Sequence, residues 1–158
     1  MATTIPDSAA VDQALLAHLA GDPTLAGWLP DGVWWDLAAP NATRYVVVEL
    51  LTHTDLATLG RGRSGEEYRV LVLATTIDRT TIKAAAQRID ALLEDAALPI
   101  PGFVLQALHR EARVRDTEPD DDEPGLIWYH RGGQYRVLVA RAADAIAARA
   151  HEAPSHNG

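Results

Sequence analysis

Residues 78–98, DRTTIKAAAQRIDALLEDAAL, stand between two segments rich in aliphatic, aromatic and β-branched residues. Ile82, Ala86, Ile89, Leu93 and Ala96 recur at helical spacing, and Ala85 and Leu92 widen the stripe. That period predicts a long helix with one apolar side. Asp78 stands at its start as a cap, and Pro99 and Pro101 stop it. An apolar stripe needs a surface to cover it. The neighbours EEYRVLVLATTI (66–77) and GFVLQALHREARVR (102–115) read as strands that supply one. The fold class expected is α+β: a mostly antiparallel β-sheet with this long amphipathic helix packed across one face. No repeated strand–helix–strand alternation calls for a Rossmann arrangement.

The remaining elements fit around that frame. Residues 8–19 place Val11, Leu15, Leu16 and Leu19 on one helical side, with Gly21 as a stop. Asp22 followed by Pro23 starts a second short helix. A Pro-Asp-Gly turn leads to a short strand at Val33–Trp35, and residues 43–53 form the next strand. Residues 54–65, TDLATLGRGRSG, read as a polar, mobile arm between strands. Residues 126–141 return as the last strand, with Gly132–Gly133 as a tight turn or a bulge. In the strand 66–77, Tyr68, Val70 and Val72 share one face, and Leu71, Leu73 and Arg69 the other. One face suits a helix, the other a partner. A chain of 158 residues predicts one domain over 1–150, and 151–158 read as a flexible tail.

Composition removes several function classes. There is no cysteine, which excludes disulfides, thiolate metal sites and cysteine nucleophiles. No unbroken apolar run approaches the ~18 residues of a membrane span. The opening MATTIPDSAA lacks the basic and apolar segments of a secretory leader. The formal charge of −8 argues against a dedicated duplex-DNA binder, though a surface that DNA passes without sticking remains open.

Three groups of residues are candidates for function. The stretch 115–125, RDTEPDDDEPG, holds Asp116, Glu118, Asp120, Asp121, Asp122 and Glu123. With Asp120 at the first position of a calcium loop, the twelfth is Arg131, where a glutamate is needed. It therefore reads as an exposed hairpin tip. Its roles are a solvated loop, a face toward an interface or channel, or weak divalent binding. Arg61 and Arg63 in GRGRSG lack the Gly-Lys-Ser/Thr ending of a phosphate loop. They suit an inter-subunit ion pair, a phosphate contact or plain solvation. Trp34 and Trp35 are adjacent in a strand and must point to opposite faces, one into the core and one toward a partner or a small apolar ligand. His53 with Asp55 looks like a fragment of a site, to which Ser64 and His109 could be added, but no nucleophile elbow or zinc-binding spacing accompanies them. No enzyme activity, cofactor or metal is expected.

The layout resembles a known family. The segments VDQALLAHLAGDPTLAGWL, GVWWDLAAPNATRYVVVELL, EEYRVLVLATT, AAAQRIDALLED, FVLQALHREARVRDTEPD and WYHRGGQYRVLVA follow one another over residues 10–141. In that order they resemble the tail-completion, or tail-terminator, proteins of long-tailed bacteriophages, prophages and gene-transfer particles. The resemblance implies a structural virion protein of the tail or neck, assembled in the host cytoplasm. It implies a homo-oligomeric ring, typically a hexamer, at the head-proximal end of the tail tube. Such a ring ends tube growth and meets the head–tail connector, while genomic DNA passes through without specific binding. Another neck component, or a small-ligand module with an aromatic pocket, is the alternative. The family implies no catalytic residues.

Overall fold

The computed structural model describes residues 9–57 and 64–142. In order they form α1 (Ala9–Ala20), α2 (Pro23–Trp28), β1 (Val33–Trp35), β2 (Arg44–Ala57), β3 (Ser64–Thr76), α3 (Ile82–Leu93), β4 (Phe103–Pro119) and β5 (Ile127–Arg141). The strands make one five-stranded sheet in the order β1-β2-β3-β5-β4. Short β1 runs parallel to β2, and the other neighbours are antiparallel.

The mostly antiparallel α+β sheet agrees with the expectation, but the long helix does not. The described residues hold three short helices in place of one that crosses the sheet, and α3 has only 12 residues. Its late start has a local cause. The Asp78 carboxylate accepts from the backbone N–H of Thr80 and from its hydroxyl, 2.9 and 2.7 Å. This closes a turn at 78–80, and the first helical residue is Ile82 rather than 79. Thr81 occupies the N-cap position without capping a helix N–H; its hydroxyl donates instead to the Asp78 carbonyl at 3.4 Å. The early stop is tertiary. Asp95 adopts a left-handed backbone, φ 54°, and its N–H donates to the Leu108 carbonyl at 3.0 Å. The chain is thereby tied to β4 well before Pro99.

The helices share the work of covering one sheet face. Val11, Leu15 and Leu19 of α1, Leu25 of α2, and Ile82, Ala85, Ile89 and Leu93 of α3 are buried. They form one cluster with Val46, Val48, Tyr68, Val70, Val72, Val137 and Val139 of the sheet. Asp22 joins two of these helices: its carboxylate accepts from Leu25 N–H, capping α2, and from Arg88 of α3.

Several other boundaries also move. The arm expected over 54–65 is strand at both ends, with Thr54↔Glu67, Asp55↔Glu66 and Leu56↔Gly65 in register. Arg61 and Arg63 lie outside the described residues, as do 143–158, which include the expected tail. Gly132–Gly133 is neither a turn nor a bulge. Both sit mid-strand in β5, and the irregularities lie in β4, between Leu105 and Ala107 and between Arg110 and Ala112. Glycine is needed at 132 because a Cβ there would stand 1.9 Å from the Val72 carbonyl oxygen.

Candidate interaction surfaces

The acidic stretch divides in two. Asp116 and Glu118 lie within β4, opposite His130 and Trp128 of β5, so the expected tip is shorter than 116–123. Pairing ends at Pro119↔Ile127, and only the residues between form the connection. Asp120 organises it. One carboxylate oxygen accepts from the N–H groups of Asp122 and Glu123, 2.9 and 2.8 Å, and the other from Trp128 Nε1, 2.8 Å. The Trp128 bond first, then the two backbone bonds, hold the Asp120 carboxyl below its usual range. Asp121, Asp122 and Glu123 are exposed and form no ion pair with the described residues.

The outer sheet face, opposite the helices, has no layer of described residues over it. The registers place Trp34, Val47, Leu73, Gly132 and Val114 in one row across all five strands. The side chains of this row are half-buried. Trp34 therefore lies on the outer face, its ring N–H donating to the Asp31 carbonyl at 2.7 Å. Trp35 turns the other way and packs against the core. Next to this row the Tyr45 and Trp128 rings meet at a tilt of 56°, centres 6.5 Å apart. Farther along the same face Arg136 makes two bonds to Glu67, 2.8 and 2.6 Å. Arg69 extends this pair to Glu111. The Arg136 bonds hold the Glu67 carboxyl below its usual range.

The helix-side face carries a feature that spacing did not reveal. Because α3 is short, the outer part of the β4–β5 ribbon is left uncovered beside it. Two adjoining cavities of about 300 and 600 Å³ lie there, and both are lined by Lys83, Arg115 and Arg131. Arg113 lines the first and Arg79 the second. Arg115 and Arg131 are direct cross-strand partners. None of these five cations forms an ion pair with a described residue. Arg110 at the margin is neutralised by Asp90. The sequence hint was Arg113 and Arg115, two apart and hence on one side of a strand.

His53, Asp55 and Glu66 also meet, their potential ligand atoms within 4.8 Å of one another. An imidazole and two carboxylates have the chemistry of a divalent transition-metal site. Glu66, 6% exposed, already has partners in the chain: the Tyr68 hydroxyl donates to it at 3.1 Å, and His53 Nε2 lies 3.4 Å away. The His53 ring stacks on Tyr68, centres 4.2 Å apart. Burial first, then the Glu66 charge, pushes the Tyr68 hydroxyl up. No bound cation is needed to account for this burial. His109 does not join the group. It lies on β4, opposite Arg136 of β5, and β4 is three strands from β2, or about 14 Å at ~4.8 Å per strand. No helix among the described residues is long and apolar enough to cross a membrane.

Comparison with known proteins bears on what these surfaces serve. The family model for tail completion protein gp17 matches residues 13–140. No curated protein sequence matches. Among solved structures, the chain is similar to one from the virion of a native gene transfer agent particle, with 20% identity and a TM-score of 0.63. The alignment covers 84% of this chain and 96% of that one. A second solved structure, 12% identical with a TM-score of 0.52, is aligned over 84% of this chain and 95% of its own. These structural likenesses concern the fold. The family match spans most of the described sheet and helices, and on that ground the chain belongs to the tail-completion, or tail-terminator, family of structural proteins of bacteriophage tails.

Proposed function

We propose that this protein forms a closed ring of identical subunits on the head-proximal end of a tail tube, ends tube polymerisation there, and presents a surface to the head–tail connector. The observation that carries the reading is the one-sided sheet. The helices of the described residues lie on one face, while the other face presents an apolar row from Trp34 to Val114 with nothing in the described chain over it. An uncovered sheet face of this kind suits a partner. A ring also needs two different lateral surfaces, since a head-to-tail contact closes into a cycle. The outer ribbon of β4–β5 and the uncovered helix-side groove are such a pair. The role is structural, with no catalytic step and no obligatory metal: Glu66 already has His53 and the Tyr68 hydroxyl as partners, and the hydroxyl that meets an imidazole, Thr75 with His130 Nδ1 at 3.0 Å, is 1% exposed and closed to a substrate. The acid-rich surface lets DNA pass without holding it.

Electron microscopy of the purified protein mixed with tail tubes tests the reading. A cap at one end of each tube is the expected result, with light scattering in parallel giving a mass that is a multiple of 17.1 kDa. Decoration along the tube, or binding to the connector alone, reassigns the protein to another neck component. A single-chain mass with and without tubes removes the ring.

A further inference from the structure

We propose that the turn Asp121–Glu123 of one copy seats in the basic groove of a second copy, where its carboxylates meet Arg115, Arg131 and Lys83. This rests on the ring reading and names the lateral contact that would close it. The groove is the strongest charge anomaly of the molecule. In a chain of net charge −8, Arg79, Lys83, Arg113, Arg115 and Arg131 line two adjoining cavities, and although Asp90 and Asp116 also reach the lining, none of the five cations is ion-paired among the described residues. Arg115 and Arg131 oppose each other directly across β4 and β5. Like charges so placed destabilise a sheet, and an incoming carboxylate removes that repulsion.

The occupant is on the same chain. Asp121, Asp122 and Glu123 are exposed and unpaired among the described residues. Their backbone is fixed in advance by the Asp122 and Glu123 N–H bonds to Asp120, which Trp128 holds in place, so little order remains to be imposed on docking. The turn cannot fold back into its own groove. Arg115 and Arg131 sit on the same two strands, four or more residues below the turn, and an extended ribbon holds them apart by roughly 13 Å at ~3.3 Å per residue. The contact must therefore join two copies, with turn and groove as unlike surfaces. Duplex DNA fits less well. Its phosphates form a continuous rod of charge every ~1.7 Å, whereas this site is a recess between α3 and the ribbon, with Asp90 and Asp116 in its lining.

Three variants test the pairing. The turn variant carries Asp121→Lys, Asp122→Lys and Glu123→Lys, and keeps Asp120 to hold the turn. The groove variant carries Arg115→Glu and Arg131→Glu. The third chain combines all five. Each is compared with wild type by thermal melting, by light scattering in low and high salt, and by micrographs with tail tubes. Wild type should assemble and weaken in salt. Turn and groove variants should each fold but stay single chains, because each brings like charges together. The combined chain should recover assembly, since its basic turn meets an acidic groove. If both separate variants assemble as wild type does, the ring stands and this contact is wrong. If the combined chain folds but does not recover, the two surfaces do not meet each other. A gel shift with a short DNA duplex is run beside these: normal rings from the groove variant, with loss of a duplex shift that wild type shows, would make the groove a nucleic-acid surface instead. Wild type failing to assemble even with tubes removes the ring reading and this contact together. Should a charge reversal unfold the chain, Arg115→Gln with Arg131→Gln, and Asp121→Asn with Asp122→Asn, replace it. Those neutral forms should weaken assembly and flatten its salt dependence; unchanged assembly with unchanged salt dependence overturns the contact.

Discussion

Asp22 does two jobs with one carboxylate. It is 7% exposed, caps α2 through Leu25 N–H, and receives Arg88 from α3. The Arg88 hydrogen bond, with further help from Leu25, holds its carboxyl below the ordinary 3.8. A depressed carboxylate stabilises the fold fully above its unfolded value, and that contribution fades as pH falls through the lower, folded one. Asp22→Ala should cost about 0.5–2 kcal/mol for the cap alone, and more for an Arg88 left without its partner. Asp22→Asn is the sharper test, because asparagine still caps but carries no charge. Urea unfolding should show a gap between wild type and Asp22→Asn near neutral pH that narrows below 3.8. A gap that stays constant into strong acid would show that the Arg88 pair contributes nothing. The Asp-Pro signal for this cap was readable in the sequence, since capping is local. The Arg88 partner was not, because it lies 66 residues away.

At the level of elements, Leu93 illustrates what periodicity can and cannot supply. It was placed on the buried stripe by spacing, and it is fully buried in the last helical turn. Leu93→Ala should lower unfolding free energy by about 2–5 kcal/mol. A loss under about 0.5 kcal/mol in denaturant titrations, the scale of surface changes, would put Leu93 outside the core. The stripe was legible because burial imposes a period. The helix ends were not, because the Asp78–Thr80 turn and the Asp95–Leu108 bond depend on side-chain rotamers and on a strand not yet formed. Strand extensions were missed for a related reason. Beyond the core, Thr54 and Asp55 of β2 and residues 116–118 of β4 pair through their backbones while carrying polar side chains, so no apolar alternation marks them. The tryptophan pair was read correctly as two-faced, since strand geometry alone decides it. The groove cations were missed as a group. Residues 79, 83, 113, 115 and 131 meet only once α3 stops short and β4 pairs with β5.

For the whole molecule, the outer sheet face is the surface that distinguishes a subunit from a free-standing domain. Helices cover one face, a charged network of Arg136, Glu67, Arg69 and Glu111 occupies part of the other, and the row Trp34–Val47–Leu73–Gly132–Val114 divides it. In the proposed ring the turn and groove take the lateral contacts, which leaves this row for the tube or the connector. Val47 and Leu73 are direct cross-strand partners, so they can be exchanged together. In Val47→Lys with Leu73→Glu, opposite charges face each other across the ladder, a pairing worth roughly 0.2–1 kcal/mol. That offsets part of the packing lost from two half-buried positions, and both new side chains have long stems that can lie along the sheet. The helix-side core is untouched. We expect a melting curve close to wild type, retained self-assembly, and loss of tube ends capped in micrographs. A chain that melts far lower would mean that the row is core, closed by segments of its own chain. A chain that caps tubes normally would leave the outer face free of the tube and turn attention to the connector side. Loss of self-assembly together with capping would place the row in the lateral contact instead. The three results differ because folding, ring closure and docking draw on different surfaces of one sheet.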